Sequence, residues 1–241
     1  AAILLNMAAL NFIDKNRNVD LFKKLMHDYD ARLMSMPVHN YNPLVYFVNY
    51  AVKELMDFFQ HAAECQECYK EQVIILWLAW IRNKQDKHLK ALLDSMCDSS
   101  EEARISLLQF LYRLDEKVND DAIVYILRFM EPQFNTPEMG STFDHLFHNL
   151  DKWPDEMQKR ITEAYVNSPV SKHQIRVFVD YLAGYAIEDP EQTLKWLEKI
   201  LEGNTPEDYF IWNKIVDVII QSYNGIKSFN DSSYQDTLEH A

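Results

Sequence analysis

The chain has 241 residues, of which 48% are hydrophobic and 25% charged, a composition ordinary for a folded globular protein. Its 4 glycines argue against a β-rich fold with many tight turns and against a glycine-rich phosphate-binding loop. The formal net charge of −13 is concentrated after Asp98, where 25 Asp and Glu face 13 Lys and Arg, so we expect this acidic part not to bind nucleic acid.

The cysteine count and the first residues bear on the compartment. Three cysteines are too few for a disulfide framework and suit a reducing environment, so we expect a cytoplasmic protein. Residues 1–13, AAILLNMAALNFI, lack the basic start of a signal peptide and are too short to span a bilayer, so no membrane partner is expected. They are predicted to form an amphipathic helix without a cap, which indicates a piece of a longer protein.

Residues 1–98 are predicted to be helical but irregular. The segment 42–62, NPLVYFVNYAVKELMDFFQHA, has the apolar spacing of one amphipathic helix. The apolar run from Val73 to Ile81 is predicted to be the centre of a buried helix, because its flanks continue at helical period. A buried strand is the alternative for this run.

From residue 99 onward, helix starts carry recognisable signals. Ser99 is predicted to cap a helix with Glu102 as its capping-box partner, and Asn119 is predicted to cap the next one. Five further segments carry a proline at the predicted first helical position, namely Pro137, Pro154, Pro169, Pro190 and Pro206. The predicted caps before four of them are Thr136, Ser168, Asp189 and Thr205. Alternate prolines recur about every 35 residues, the period of stacked two-helix repeats.

The helix that starts at Pro206 is predicted to be buried on two sides. Its apolar residues form two stripes, Ile211, Ile215, Val218 and Ile219, and Trp212, Val216, Ile219 and Tyr223. A helix of this kind is expected in the inner layer of a repeat stack, packed against its hairpin partner and the next repeat. Asn224-Gly225 is predicted to end it.

Two groups of residues have metal-ligand character. His61, Cys65 and Cys68 combine Cys-x2-Cys spacing with a histidine one turn earlier, but the chain offers no matching second pair of ligands. Asp144, His145, His148 and Asp151 lie at helical spacing, again without a second motif. We therefore expect cysteines packed at a helix–loop junction and an exposed polar helix face, and we assign no catalytic, cofactor-binding or metal-binding residue.

The tryptophans could anchor a partner, but each lies within or beside an apolar helical pattern. Packing in the core or between hairpins is the prediction for all of them, Trp77, Trp80, Trp153, Trp196 and Trp212.

Residues 178–209, FVDYLAGYAIEDPEQTLKWLEKILEGNTPEDY, resemble a tetratricopeptide repeat, with an aromatic first helix, an Asp-Pro turn and a closing Thr-Pro. The segment departs from that pattern where Thr193 and Ile200 replace small residues and Leu197 replaces an aromatic one. Its bulkier contacts resemble HEAT or armadillo-type α-solenoids. These resemblances imply a binding scaffold without an active site.

We therefore predict an all-α fold, a superhelical stack of antiparallel helix hairpins with about six or seven helix pairs. A single α-solenoid would span residues 1–241, with a possible subdivision into a less regular part, 1–98, and regular acidic repeats, 99–241.

The predicted function is a non-catalytic helical-repeat scaffold for protein–protein interaction, or for sensing and positioning within a larger protein. The acidic second part favours a basic peptide or protein as partner, beside other domains of the parent protein. The alternative is an all-helical enzyme or small-molecule-binding domain with its site in a helix-lined cavity.

Overall fold

The computed structural model describes residues 14–26, 43–114, 120–203 and 208–239. Within these ranges the chain is helical throughout and contains no β-strand, which confirms the predicted all-α class. The chain divides into two compact units, Ala1–Phe110 and Leu111–Ala241. No helix in the described part of the chain combines the length and apolarity needed to cross a membrane.

The first unit is built around one buried helix, α4. The helices in order are α1 Lys15–Leu25, α2 Pro43–Phe47, α3 Met56–Glu64, α4 Tyr69–Arg82, α5 Lys87–Ser99 and α6 Glu101–Leu111, which ends at the boundary. Helix α4 packs against α2, α3 and α5. It contains the apolar run from Val73 to Ile81, so the prediction of a buried helix there is confirmed.

The prediction of a single helix over residues 42–62 is wrong, because the chain bends between α2 and α3. The ring centroids of Phe47 and Phe58 lie 5.3 and 5.5 Å from that of Phe22 in α1. On one straight helix these two residues would stand about 16 Å apart along the axis, too far for both to contact one ring. The bend brings both phenylalanines onto Phe22.

The cap of α6 is Ser100, one residue later than predicted. The Ser100 hydroxyl oxygen accepts a hydrogen bond from the Ala103 backbone N–H at 3.2 Å. Ser99 is instead the last residue of α5, and its hydroxyl donates to the carbonyl of Ser95 at 2.7 Å. Only Ser99 has a glutamate three residues later, but α5 extends through Ser99 and leaves Ser100 as the cap. The predicted cap Asn119 lies outside the described residues.

The second unit contains six α-helices in the described ranges. They are α7 Asp120–Phe129, α8 Pro137–Leu146, α9 Asp155–Asn167, α10 Arg176–Tyr185, α11 Pro190–Gly203 and α12 Tyr209–Glu239. Helix α9 packs against both α7 and α11, and α10 packs against both α8 and α12. Helix α11 also packs against α10 and against α12.

Two of the predicted proline starts are confirmed. The Thr136 hydroxyl accepts from the Met139 N–H ahead of α8, and an Asp189 carboxylate oxygen accepts from the Gln192 N–H ahead of α11, both at 3.2 Å. Pro154 is itself the cap residue before α9 rather than its first helical residue. The predicted cap Thr205 and Pro206 lie outside the described residues.

The helix predicted to start at Pro169 is instead a short 3-10 turn, Pro169–Lys172, and α10 begins only at Arg176. The α10 N-terminus is capped by a residue from another helix, Asp144 of α8. Its carboxylate oxygens accept from the Phe178 N–H at 2.9 Å and the Val177 N–H at 3.1 Å. Sequence reasoning missed this cap because more than 30 residues separate the partners.

Asp144 was predicted to lie on an exposed polar face, and that prediction is wrong. Its side chain is completely buried. Burial raises the pKa of Asp144, while the hydrogen bonds from Phe178 and Val177 lower it, and the net direction is upward. The carboxyl group therefore stabilises the packing of α8 against α10.

The predicted burial of α12 on two sides is also wrong. Ile215 and Val218 are buried against the unit, but Val216, Ile219 and Tyr223 are 46–67% exposed. The helix continues through Gly225 to Glu239 instead of ending at Asn224-Gly225. A Cβ atom at Gly225 would lie 3.3 Å from the Pro190 ring, so this glycine permits close packing against the start of α11.

We predict opposite effects for two glycine-to-alanine substitutions in this unit. A Cβ atom at Gly140 would lie 2.5 Å from His173 Cβ and 2.8 Å from the Val170 carbonyl, so Gly140→Ala should destabilise the fold by about 1–3 kcal/mol. A Cβ atom at Gly184 meets nothing within 4 Å, so Gly184→Ala should stabilise it by about 0.5 kcal/mol. Urea unfolding of both variants tests the pair, and shifts of the same sign would contradict it.

We further predict that Asp144→Ala lowers the free energy of unfolding by about 2–4 kcal/mol, because two N–H groups of α10 lose their acceptor in a buried site. Asp144→Asn keeps one acceptor oxygen and should cost less. The neighbouring exposed His145 is the control, with an expected change for His145→Ala of about 0.5 kcal/mol or less. Equal losses for Asp144→Ala and His145→Ala in urea unfolding would refute the capping role.

Candidate functional site

The predicted group of His61, Cys65 and Cys68 lies at the junction of α3 and a 3-10 turn, Gln66–Cys68. His61 Nδ1 is 2.7 Å from the Asp57 carbonyl oxygen of its own helix, and Cys68 is fully buried. Burial, with a smaller contribution from a hydrogen bond to Cys65, raises the pKa of Cys68 to about 12. Metal binding at Cys68 would have to displace the thiol proton, and the raised pKa opposes that step.

The second predicted group is divided by the structure. Asp144 points into the core, whereas His145 and His148 are exposed, with stacked rings 5.7 Å apart. His148 and Asp151 instead line a groove described below. In the part of the chain that the structure describes, no three His, Cys, Asp or Glu side chains form a group that could hold a metal ion.

The tryptophans follow the packing prediction with one exception. Trp77, Trp80, Trp153 and Trp196 are at most 7% exposed, which confirms their place in the core. Trp212 on α12 is 42% exposed, so the prediction is wrong for this residue.

A groove of about 460 Å³ runs along the second unit, between the end of α8, the start of α9 and the exposed side of α10. It is assembled from residues up to 41 positions apart. His148 and Asp151 come from the predicted metal group, and the residues from Asp180 to Glu188 come from the tetratricopeptide-like segment. The lining residues are Phe147, His148, Asp151, Asp155, Gln158, Val177, Asp180, Tyr181, Gly184, Tyr185 and Glu188.

Aromatic rings form one wall of this groove. The Phe147 and Tyr181 centroids are 5.2 Å apart, and the Tyr181 and Tyr185 rings stack at 5.9 Å. Trp196 of α11 continues the row, 5.3 Å from Tyr185, and its indole N–H donates to the Glu163 carboxylate at 2.8 Å. Phe147, Tyr185 and Trp196 are at most 6% exposed and pack on one another, so the half-buried Tyr181 supplies most of the accessible ring surface, to which a cation can bind favourably.

One buried amide ties this wall to the start of α9. The Gln158 side-chain N–H donates to the Trp153 carbonyl at 2.8 Å, and its Oε1 accepts from the Tyr181 hydroxyl at 3.2 Å. Both ends of the amide are therefore hydrogen-bonded. Tyr181 is held at a defined position in the groove.

Four carboxylates line the groove, and no Lys or Arg is among its lining residues. They are Asp151, Asp155, Asp180 and Glu188, and all four are exposed. Lys214 of α12 approaches from outside the groove, with its Nζ 3.1 Å from an Asp180 carboxylate oxygen. Both side chains of that pair are about half exposed, so the pair is weak and leaves the groove acidic.

The surroundings also raise the pKa of the tyrosine hydroxyl groups in the groove. Burial raises the pKa of Tyr181, and the negative charges of Glu188 and Asp151 raise it further, against a lowering by the Thr162 hydrogen bond. Burial raises the pKa of Tyr185 as well, while nearby Lys159 lowers it. Tyr181 therefore remains a neutral hydrogen-bond donor at physiological pH.

Three sequence features touch this site, namely the acidic excess after Asp98, the spacing of His148 and Asp151, and the tetratricopeptide-like segment 178–209, but none of them indicates a groove. Searches among protein-family models, curated proteins and solved structures found no match to the chain. No relative therefore indicates what the groove binds.

We predict that alkaline pH destabilises the second unit through its buried tyrosines. Burial raises the pKa of Tyr165 well above its ordinary 10.0, so its stabilising contribution is complete below pH 10.0 and is lost as the pH rises through the folded-state pKa. Tyr165→Phe should reduce the fall in melting temperature between about pH 9 and 11. The exposed Tyr209→Phe variant is the control, and equal falls for both variants would contradict the prediction.

Proposed function

We propose that the protein is a non-catalytic helical scaffold whose acidic groove binds a basic segment of a partner protein. One observation carries the proposal, the combination of four carboxylates with an aromatic wall in one groove without a lining Lys or Arg. Lysine and arginine side chains match this combination, since their apolar stems can pack on the half-buried Tyr181 ring while their charged ends reach the exposed carboxylates.

The packing of the second unit supports a helical-repeat scaffold. Contacts of α7 with α9 and α9 with α11, and of α8 with α10 and α10 with α12, join each helix to the second one along the chain. Stacked hairpins make contacts in this order. The tetratricopeptide-like segment 178–209 covers the α10–α11 hairpin, which supplies much of the groove's aromatic wall.

A binding role suits the groove better than catalysis. Its carboxylates are exposed to water, whereas catalytic electrostatics work through groups held in a dry, preorganised site. Exposed carboxylates attract a cationic partner over a distance and raise its rate of association. We propose a cytoplasmic scaffold, within a larger protein, that avoids nucleic acid at this acidic face.

The test is fluorescence anisotropy with a labelled Lys- and Arg-rich peptide, compared with the same peptide carrying Glu in place of its basic residues. We expect only the basic peptide to bind, and more weakly as salt rises. Glu188→Gln should weaken binding about three-fold, since an exposed charge pair contributes up to about 1 kcal/mol. Glu198→Gln, an exposed residue of α11 outside the groove lining, is the matched control.

A second variant tests the groove by filling it. Gly184 lies in the open groove, so Gly184→Leu places a side chain in the path of the peptide and should weaken binding about ten-fold. Gly184→Ala should bind as the unmodified protein does. Equal binding by Gly184→Leu, or full competition by free arginine at the same affinity as the peptide, would overturn the proposal.

A further inference from the structure

Helix α12 presents an apolar surface to solvent, on a side separate from the one that packs on its own unit. The exposed fractions of these side chains run from 42% to 74%. We call this surface the α12 stripe; it consists of Tyr209, Trp212, Val216, Ile219, Ile220 and Tyr223. The buried side of the helix, with Ile215, Val218 and Ser222, faces α10 and α11.

The spacing within the stripe is that of a helix–helix seam. Tyr209, Trp212, Val216, Ile219 and Tyr223 alternate at intervals of three and four residues. Apolar residues that repeat every 3.5 positions on average bring two helices together at a shallow crossing angle. The stripe therefore suits another helix better than an extended peptide.

The stripe is large for an exposed surface. Its side chains expose on the order of 700 Å² in total. The largest apolar patch of a typical monomer covers about 300–600 Å², and a stable protein–protein interface buries about 800 Å² on each partner. The exposed area of the stripe alone therefore approaches the area that one partner contributes to such an interface.

Charge distinguishes the stripe from the rest of the molecule. The chain carries a formal net charge of −13, so most of its surface repels a second copy. The stripe contains no charged residue. A two-fold interface brings the same patch of both copies together, and an uncharged patch can do so without opposing like charges.

We propose that the α12 stripe binds the α12 stripe of a second copy of this chain, forming a symmetric dimer. Each copy presents the same seam, with equal length, spacing and apolar character, as a two-fold interface requires. The inference does not rest on the acidic groove, because none of the stripe residues lines it.

Sedimentation equilibrium of the full chain at about 1–100 µM tests the dimer. We expect a mass that rises with concentration toward twice 28.5 kDa, and an association that 1 M salt preserves or strengthens. Val216→Lys should weaken dimerisation at least ten-fold. The matched control is Val124→Lys on α7, because Val124 and Val216 are 58% and 50% exposed and both lie in the second unit.

Circular dichroism and melting temperature establish that each variant is folded, and Ile219→Lys supplies a second test of the same stripe. A chain that stays monomeric up to about 100 µM would overturn the proposal, since another partner would then have to cover the stripe. Dimerisation that both lysine variants leave unchanged would also overturn it. Glu188→Gln should weaken peptide binding but leave the dimer intact. The groove proposal and the dimer proposal can therefore fail independently of each other.

Discussion

The second unit depends on one buried carboxyl group, that of Asp144. By accepting hydrogen bonds from Val177 and Phe178, it fixes the beginning of α10 against the body of α8. The groove lies between the end of α8 and the exposed side of α10, so its width depends on this contact. Gly140, one turn earlier on α8, lets the 3-10 turn before α10 approach closely. Removing the Asp144 carboxylate from water costs desolvation free energy. In its place, the carboxylate caps the start of α10, where no neighbouring residue in the sequence supplies a cap.

The same unit carries two surfaces with different chemistry. The groove combines carboxylates with tyrosine and phenylalanine rings, whereas the α12 stripe is apolar. In the proposed roles, the groove selects its partner by charge and the stripe selects by shape and spacing. Salt is expected to act on them in opposite directions, because it screens charge pairs but leaves apolar association intact. A scaffold with both could pair with itself through one helix while a partner occupies the groove. Lys214 of α12 lies outside the stripe and pairs with Asp180 of the groove.

The sequence predicted local structure well where a helix and its cap are close in the chain. Thr136 before α8, Asp189 before α11 and the helical run from Val73 to Ile81 are all confirmed, because each depends on neighbours within a few residues. It misplaced the start of α10 and the bend between α2 and α3, because the partners that decide them, Asp144 and Phe22, are distant in the chain. The group around Asp144 was divided for a similar reason, since helical spacing alone does not say whether a side chain faces the core.

By itself, the sequence determined the helical class, the acidic character of the second part and most helix positions, all of which follow from composition, period and capping. It also identified the apolar character of α12. Only the tertiary structure decided which side of α12 is covered, because residues of both stripes are equally apolar and burial depends on where α10 and α11 lie. Likewise, the carboxylates of the groove are unremarkable in the sequence, and only the fold brings them together beside one aromatic row. Periodicity says which residues share a face, but the neighbouring helices determine what that face meets.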